Sequence, residues 1–475
     1  MTAKPPIILW FRRDLRLADN PALIAALQSG QPVIPVFIRD SLVDAMGACP
    51  RWRLGLSLEA LMRDLERLGA QLVLRSGPAE SVLRDLIRET GANGIVYCRD
   101  YTPDAIARDT AIKAGLRAEG VSVESYNSLL LFEPWTVQTL SGGPYRVYSP
   151  FWRSVRDRPV PEPLPAPSNL LSPESYIESE TLANWQFGKD MQRGAEIVGA
   201  YVRVGEAAAL DQVSAFLAES VDSYKTDRDR MDLDATSGLS ENLAYGEISP
   251  RTIWHAGQGA LQQGAPGAEH FLKELVWREF AYHLVYHTPE ILTRNWRPTW
   301  DAFPWRGDCE DAERWRRGMT GEPIIDAAMR ELYVTGRMHN RARMIVASYL
   351  TKHLMIDWRI GLEWFADCLT DWDPASNALG WQWVAGCGPD AAPYFRVFNP
   401  ATQAEKFDPE ARYRNRFLPE PGGAVSAEAA SYFDAVPRAW RLSPNQFMPE
   451  PIISLPDGRA RALAAYSAFK TTAAA

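Results

Sequence analysis

Apolar residues come in two rhythms along this chain, and the rhythm changes once. In the first quarter, short continuous apolar runs occur at Ile7–Phe11, Val33–Ile38, Gln71–Leu74, Gly94–Cys98 and Val121–Ser125. Short runs of this kind predict buried parallel strands. Amphipathic stretches separate them at Asn20–Gln28, Arg51–Leu68, Ala79–Glu89 and Asp104–Ala118, with Gly30, Gly69, Gly91 and Gly120 placed where helices would end. Strand and helix alternate four times and close on a strand, which predicts a doubly wound α/β domain over residues 1 to 130. Ligands of such sheets sit beyond the carboxyl ends of the strands, here the loops at Phe11–Arg16, Ile38–Ser41 and Arg99–Thr102. No G-x-G-x-x-G or Walker A pattern occurs, so neither a dinucleotide nor a triphosphate reading is supported.

Residues 131–199 lose the alternation. RPVPEPLPAPSNLLSPES is Pro-rich and predicts an extended linker draped over a surface. From residue 200 to 475 the period is helical, with segments expected at Gly205–Glu219, Ser249–Gln263, Glu269–His287, Asp311–Arg317, Ile324–Leu332, Asn340–His353 and Ile360–Leu369. This predicts an all-α second domain. The Pro-rich stretch Pro419–Pro456 and the Ala-rich end read as surface wrapping and a tail.

Length and composition narrow the reading further. The chain has 475 residues, more than one ordinary core holds, so two or three domains are expected. No apolar run reaches 18 residues, and the N-terminus has no signal-peptide layout, so neither a membrane span nor export is expected. The five cysteines are scattered without a C-x-x-C, which suits a reducing cytoplasm. The net charge of −8 argues only weakly against nucleic acid, because a local basic groove binds phosphate whatever the distant charge. Five tryptophans precede residue 250, leaving 12 of the 17 after it, together with all six histidines. Aromatic chemistry is therefore expected in the second half.

Four clusters there carry candidate chemistry. Thr236, Ser237, Gly238, Leu239 and Ser240 form a hydroxyl-rich turn ahead of a helix; such a turn holds phosphate, or simply caps the helix. Glu274, Trp277, Arg278 and Tyr282 share a helix face, as a cavity wall or as an ordinary ion-paired face. His283 and His287 have the spacing of a zinc helix, but Leu284 stands where the Glu of H-E-x-x-H would be and no third ligand is evident, so no metal is expected. Asn340, Arg343, Met344 and Ala347 project to one side of a helix, with Asn340 able to donate and accept at a ring edge, while Arg341 and Arg343 offer forks for phosphate or carboxylate. Asp371, Asp373 and Asn377 can accept from ring N–H groups or ribose hydroxyls, and Trp381 and Trp383 point to opposite sides. A single Trp is most simply core filler, but four polar-aromatic clusters in one helical domain point to a cradle for a flat polar cofactor.

Six motifs give the set a family likeness: WFRRDLRLADNPAL, ELVWREF, PIIDAAMREL, MHNRARM, DWDPASNALGWQW and DAAPYFRVFNP. Together they resemble the photolyase/cryptochrome family over nearly the whole chain. The resemblance implies an N-terminal α/β antenna domain, a long linker, and a helical domain holding FAD folded into a U. It implies that Tyr224, Thr236, Ser237, Leu239 and Ser240 meet the cofactor's phosphates, and that Glu274, Arg278, Asn340, Arg343, Asp371, Asp373 and Asn377 make the remaining flavin contacts, with Asn377 at N5. It implies an electron relay through Trp381, Trp358 and Trp305. It also implies a lesion pocket walled by Trp277 and Trp383, lined by Glu274, Asn340, Arg341 and Met344, with Arg341 and Arg396 gripping phosphate.

The departures are informative. Gly238 stands where Arg is frequent, Phe271 and Arg337 where Trp is frequent, and A-L-G precedes Trp381 as in plant-type cryptochromes. This combination resembles the class III photolyases of cyclobutane pyrimidine dimers; (6-4) photolyases place His where Asn340 and Met344 stand. The implied activity is light-driven splitting of those dimers in UV-damaged DNA by a cytoplasmic monomer, with Glu274, Asn340 and Asn377 at the chemistry. The competing expectation is a cryptochrome that signals without repair. Asp104 and Ala105 occupy positions of the usual folate pocket and alter it. The resemblance still implies a methenyltetrahydrofolate antenna, with 8-hydroxydeazaflavin as the alternative.

Overall fold

The computed structural model describes residues 4–390, 395–419, 425–444 and 448–474. Five strands, β1 (Ile7–Phe11), β2 (Val33–Arg39), β3 (Val73–Ser76), β4 (Gly94–Cys98) and β5 (Ser122–Tyr126), form one parallel sheet in the order β3-β2-β1-β4-β5. Leu9 of β1 lies between Pro35 of β2 and Val96 of β4. Every residue of β1 and β4 is buried, as the unbroken apolar runs require. β3 begins two residues later than the apolar run suggests and takes in Arg75 and Ser76. These polar residues extend the strand because the crossing segment pairs with them: Ser76 N–H donates to Glu180 at 2.8 Å and Arg75 Nε to the Glu178 carbonyl at 3.2 Å.

The strand order reverses between β1 and β4, so the crevice beyond their carboxyl ends faces outward from the sheet. The Arg12–Arg16 loop fills it. Arg13 leaves the sheet domain altogether, donating to Tyr282 Oη at 2.7 Å and to Asp373 at 2.9 Å.

The 131–199 segment is not extended throughout. Tyr148–Val155 is a helix whose Tyr148, Phe151, Trp152 and Val155 are buried against the Ala268–His287 helix. The Pro-rich part does drape: Leu164 and Leu171 carbonyls accept from Asp19 and Val33 N–H groups of the sheet domain.

Beyond it lie the helices that carry the site: Pro250–Gln262, Ala268–His287, Pro323–Thr335, Asn340–Ser348, Trp358–Cys368 and Pro374–Ala385. Side chains cap several starts, among them Ser249 on Thr252 N–H (3.0 Å) and Asp373 on Ser376 N–H (2.9 Å), each followed by Pro in the first turn. The helix expected over Asn340–His353 is α only to Ser348 and continues as a π turn, Tyr349–His353. The Ala-rich end is not a free tail: Leu455–Ala474 is a helix, with Tyr466 stacked on Phe395 at 4.5 Å and Phe469 5.1 Å from Trp300.

A buried charge cluster fastens the first domain to the second. Arg53, on the Ala48–Arg67 helix and fully buried, donates to Glu241 and, at 2.8 Å, to Glu247. Arg337 adds a 2.6 Å pair to the same Glu241. The interface leaves no space at Gly246, where φ is 68° and a Cβ would lie 2.0 Å from the Arg13 carbonyl oxygen.

Candidate functional site

A cavity of about 1470 Å³ opens in the helical domain. The Ala268–His287 helix contributes Glu274, Trp277 and Arg278 to its wall; the Asn340–Ser348 helix contributes Asn340, Arg343 and Met344; the Asp371–Ala385 stretch contributes Asp371, Asp373, Asn377, Trp381 and Trp383. Tyr224 and the turn Thr236, Ser237, Leu239 and Ser240 complete it. The chain folds these together because each polar residue sits at a helix start or one to two turns into a helix whose opposite face is core.

The polar wall is internally paired. Arg343 Nη2 donates to both oxygens of Asp371 at 3.0 and 2.8 Å, and Ser240 Oγ donates to Asp371 at 2.7 Å. Burial works against charge on Asp373, yet Arg13 and Arg278, with hydrogen bonds from Tyr282 and the Ser376 N–H, hold its pKa down at about 2. Arg278 gives one nitrogen to the Leu129 carbonyl at 2.7 Å. Asn377 Nδ2 donates to the Leu362 carbonyl at 3.1 Å, which turns Oδ1 the other way as an acceptor. His339 caps the Asn340 helix: Nδ1 accepts from Arg341 N–H at 3.1 Å, so the neutral ring carries its proton on Nε2. Burial lowers its pKa to about 4, keeping the cap neutral.

Some expected residues lie elsewhere. Arg341 is outside the cavity lining, paired with Asp229 at 2.6 Å and over the Phe407 ring at 4.3 Å. Arg396 is exposed and shares a smaller cavity of about 90 Å³ with Trp383, Lys352 and Lys470. Residues 391–394 of the DAAPYFRVFNP motif lie outside the described residues. Of the three relay candidates only Trp381 lines the large cavity. Its ring lies against Gly361, where a Cβ would be 2.0 Å from it, and its neighbours are Phe365 and Trp315 at 5.0 and 6.1 Å. Trp358 is fully buried and donates to Asn295 at 2.9 Å; Trp305 is half-buried, 5.6 Å from Trp300. No two of the three stack ring on ring among the described residues.

Two contributors escape sequence reading. Arg228 donates to Glu274 and lies over the Tyr224 ring at 5.6 Å. Its only signal is the four-residue step from Tyr224. Gln212 reaches the Ser237 carbonyl and fills the space beside Gly238, where a Cβ would lie 2.4 Å from its amide nitrogen. Gly238, at φ 61°, is favoured by its left-handed backbone where Arg is frequent in the resembling family, and any side chain there would displace the Gln212 amide.

The unpartnered polar atoms of the cavity suit FAD. Arg278 Nη2, Trp372 Nε1, Trp381 Nε1, His339 Nε2 and Gln212 Oε1 are buried without a protein partner, and all five residues line the cavity. Buried polar atoms without partners are costly unless a ligand or water meets them. His283, by contrast, accepts from Tyr145 N–H at 3.0 Å, and no metal-holding group of three or more His, Cys, Asp or Glu occurs among the described residues.

Two family models match the chain: DNA photolyase over residues 7–168 and the FAD binding domain of DNA photolyase over residues 271–468. A deoxyribodipyrimidine photo-lyase of Agrobacterium fabrum is 48% identical over 472 residues, 98% of each chain. Cryptochrome-1 of Arabidopsis thaliana is 35% identical over 430 residues, 87% of this chain and 62% of that protein. A crystal structure of a bacterial class III photolyase from Agrobacterium tumefaciens superposes with a TM-score of 0.92 at 46% identity, covering 99% of both chains. With this fold, this cavity and these matches over nearly its whole length, the chain belongs to the photolyase/cryptochrome family.

Proposed function

We propose that this chain is a deoxyribodipyrimidine photo-lyase of the class III type, acting on cyclobutane pyrimidine dimers in UV-damaged DNA with FAD as cofactor. The observation that carries the reading is near-complete coverage at 48% identity by a photo-lyase, whereas the plant cryptochrome match is lower and leaves more than a third of that protein uncovered. Bound in this cavity, reduced FAD would supply light-driven one-electron chemistry for opening the dimer with no net redox change. The protein's part is to bind, orient and exclude water.

In this reading Trp277 and Trp383 are aromatic walls for the flipped dimer. Flipping costs a few kcal/mol, least for a damaged pair, and stacking offsets about 1–3 kcal/mol per base. Glu274, Asn340 and Met344 meet its edges, with the Glu274 carboxylate accepting from a base N–H. Arg341 and Arg396 position backbone phosphates. Arg278, Arg343, Asp371, Asp373 and Asn377 hold the flavin, and Tyr224, Thr236, Ser237, Leu239 and Ser240 its phosphates. Trp381 at the cavity and Trp358 are buried and Trp305 is half-buried, which supports a relay that ends towards the surface. Residues 1–130 take the antenna role, 131–199 the connection and 200–475 the flavin and lesion. The antenna is assigned as methenyltetrahydrofolate from the class III likeness, with 8-hydroxydeazaflavin as the alternative; chromophore extraction and absorption decide it. The protein acts as a monomer in the cytoplasm, a setting that suits its five free thiols. No helix among the described residues is long and apolar enough to cross a membrane.

The test is illumination of the FAD-loaded, reduced protein with a dimer-containing oligonucleotide. Dimer loss in light and none in darkness is expected. Bound FAD with no light-dependent loss would move the chain to the cryptochrome reading.

A further inference from the structure

Trp277 and Trp383 come from two helices far apart in sequence, yet one residue touches the support of both. The Pro374–Ala385 helix, which carries Trp383, ends at Gly386 (φ 95°). Gly386 and Gly388 N–H groups both donate to the Gln382 carbonyl at 3.0 Å. A Cβ on Gly388 would lie 2.7 Å from backbone of Gln382, so the loop folds tightly back on the helix end. This delivers Asp390 into the cavity wall in a left-handed conformation, φ 52°.

There its backbone carbonyl accepts from Trp383 Nε1 at 3.1 Å. Its carboxylate lies close to the N–H of Tyr148. Tyr148 is the first residue of the Tyr148–Val155 helix, whose N-terminus has no side-chain cap of its own. The Tyr148 ring lies flat on Trp277, with centroids 3.7 Å apart and planes 7° from parallel, and its hydroxyl donates to the Lys273 carbonyl at 2.6 Å. One face of Trp277 is thus covered, and only the other is left for a ligand.

We infer that Asp390 is a positioning residue: it ties the Trp383 indole, through its carbonyl, to the Tyr148-backed Trp277, through its carboxylate, and so sets the spacing and planes of the two aromatic walls. The inference rests on the photo-lyase reading of those walls. Stacking energy falls steeply with misplacement because dispersion needs close contact, so a loosened wall costs lesion binding without touching the flavin cradle.

The backbone conformation allows a clean test. Asn adopts left-handed backbone readily and its Oδ1 can accept the same N–H, while Gly keeps the conformation and removes the acceptor. The measurement is dark affinity of the FAD-loaded full-length protein for a duplex with one cyclobutane dimer against the undamaged duplex. Asp390→Gly is expected to lower that ratio about tenfold, the scale of one weakened base–aromatic stack. FAD content and affinity for undamaged duplex should stay as in the wild type, and Asp390→Asn should keep the wild-type ratio. A wild-type protein that does not discriminate would overturn the photo-lyase reading itself. A discriminating wild type with an equal ratio in Asp390→Gly would overturn only the role of Asp390. So would loss of FAD or of melting temperature in Asp390→Gly, because Asp390 would then serve the fold.

Discussion

Glu274 does not stand alone in the cavity wall; Arg228 donates to its carboxylate, with Asp229 next along paired to Arg341. The helical spacing of Glu274, Trp277 and Arg278 was enough to place them on one wall, since neighbours three and four apart must share a face. It could not supply Arg228, 46 residues earlier in the chain, because ion pairing between elements leaves no periodic trace. Arg337 was equally opaque in sequence, and its partner Glu241 lies 96 residues away. Its role is now physical: it completes the pairing of a carboxylate buried beside Arg53. Replacing Glu274 with Ala should leave FAD bound and lower dimer affinity by about tenfold, the scale of one hydrogen bond to a charged group, with fewer dimers opened per photon. Equal affinity and yield would remove Glu274 from the lesion site.

Among elements, β1 and β4 were legible because a strand buried on both faces is apolar at every position. The Leu455–Ala474 helix was not, because it carries many alanines and polar residues and docks mainly through Leu463, Tyr466 and Phe469. Its docking surface is made by residues far away, Trp300, Phe303 and Phe395. The π turn at Tyr349–His353 was also invisible, since one extra residue in a turn leaves the apolar pattern almost unchanged. Tyr466→Ala removes a ring stacked at 4.5 Å on Phe395 and should destabilise the protein by about 1–3 kcal/mol. A denaturant midpoint equal to that of the wild type would show that the helix adds nothing to the core.

Across the whole molecule, buried titratable groups pull stability in opposite directions with pH. Burial raises Glu279, Glu322 and Glu331 to about 7 and lowers His283, His339 and His353 to about 4. A carboxyl raised in the folded state contributes stability that is full below its ordinary value of 4.5 and is lost as pH rises through 7. A histidine depressed in the folded state contributes stability that is full above 6.5 and is lost as pH falls through 4. Between 4.5 and 6.5 the two sets oppose. Glu279 is the informative member, since its carboxylate accepts the Leu131 and Phe132 N–H groups at 2.9 and 3.1 Å and so anchors the connection to the flavin domain. The stability of Glu279→Gln minus that of wild type should therefore rise with pH from 4.5 to 7, by at most about 1.4 kcal/mol per unit. A difference that is flat across that window would mean Glu279 ionises as freely folded as unfolded.

The proposed reaction borrows one electron and returns it. It is tested most directly by counting cyclobutane dimers opened per protein under continuous light while following flavin absorption. Many dimers opened per flavin, with the reduced flavin absorption unchanged at the end, is the predicted result. No light-dependent opening, or at most one dimer per flavin with matching flavin oxidation, would contradict it.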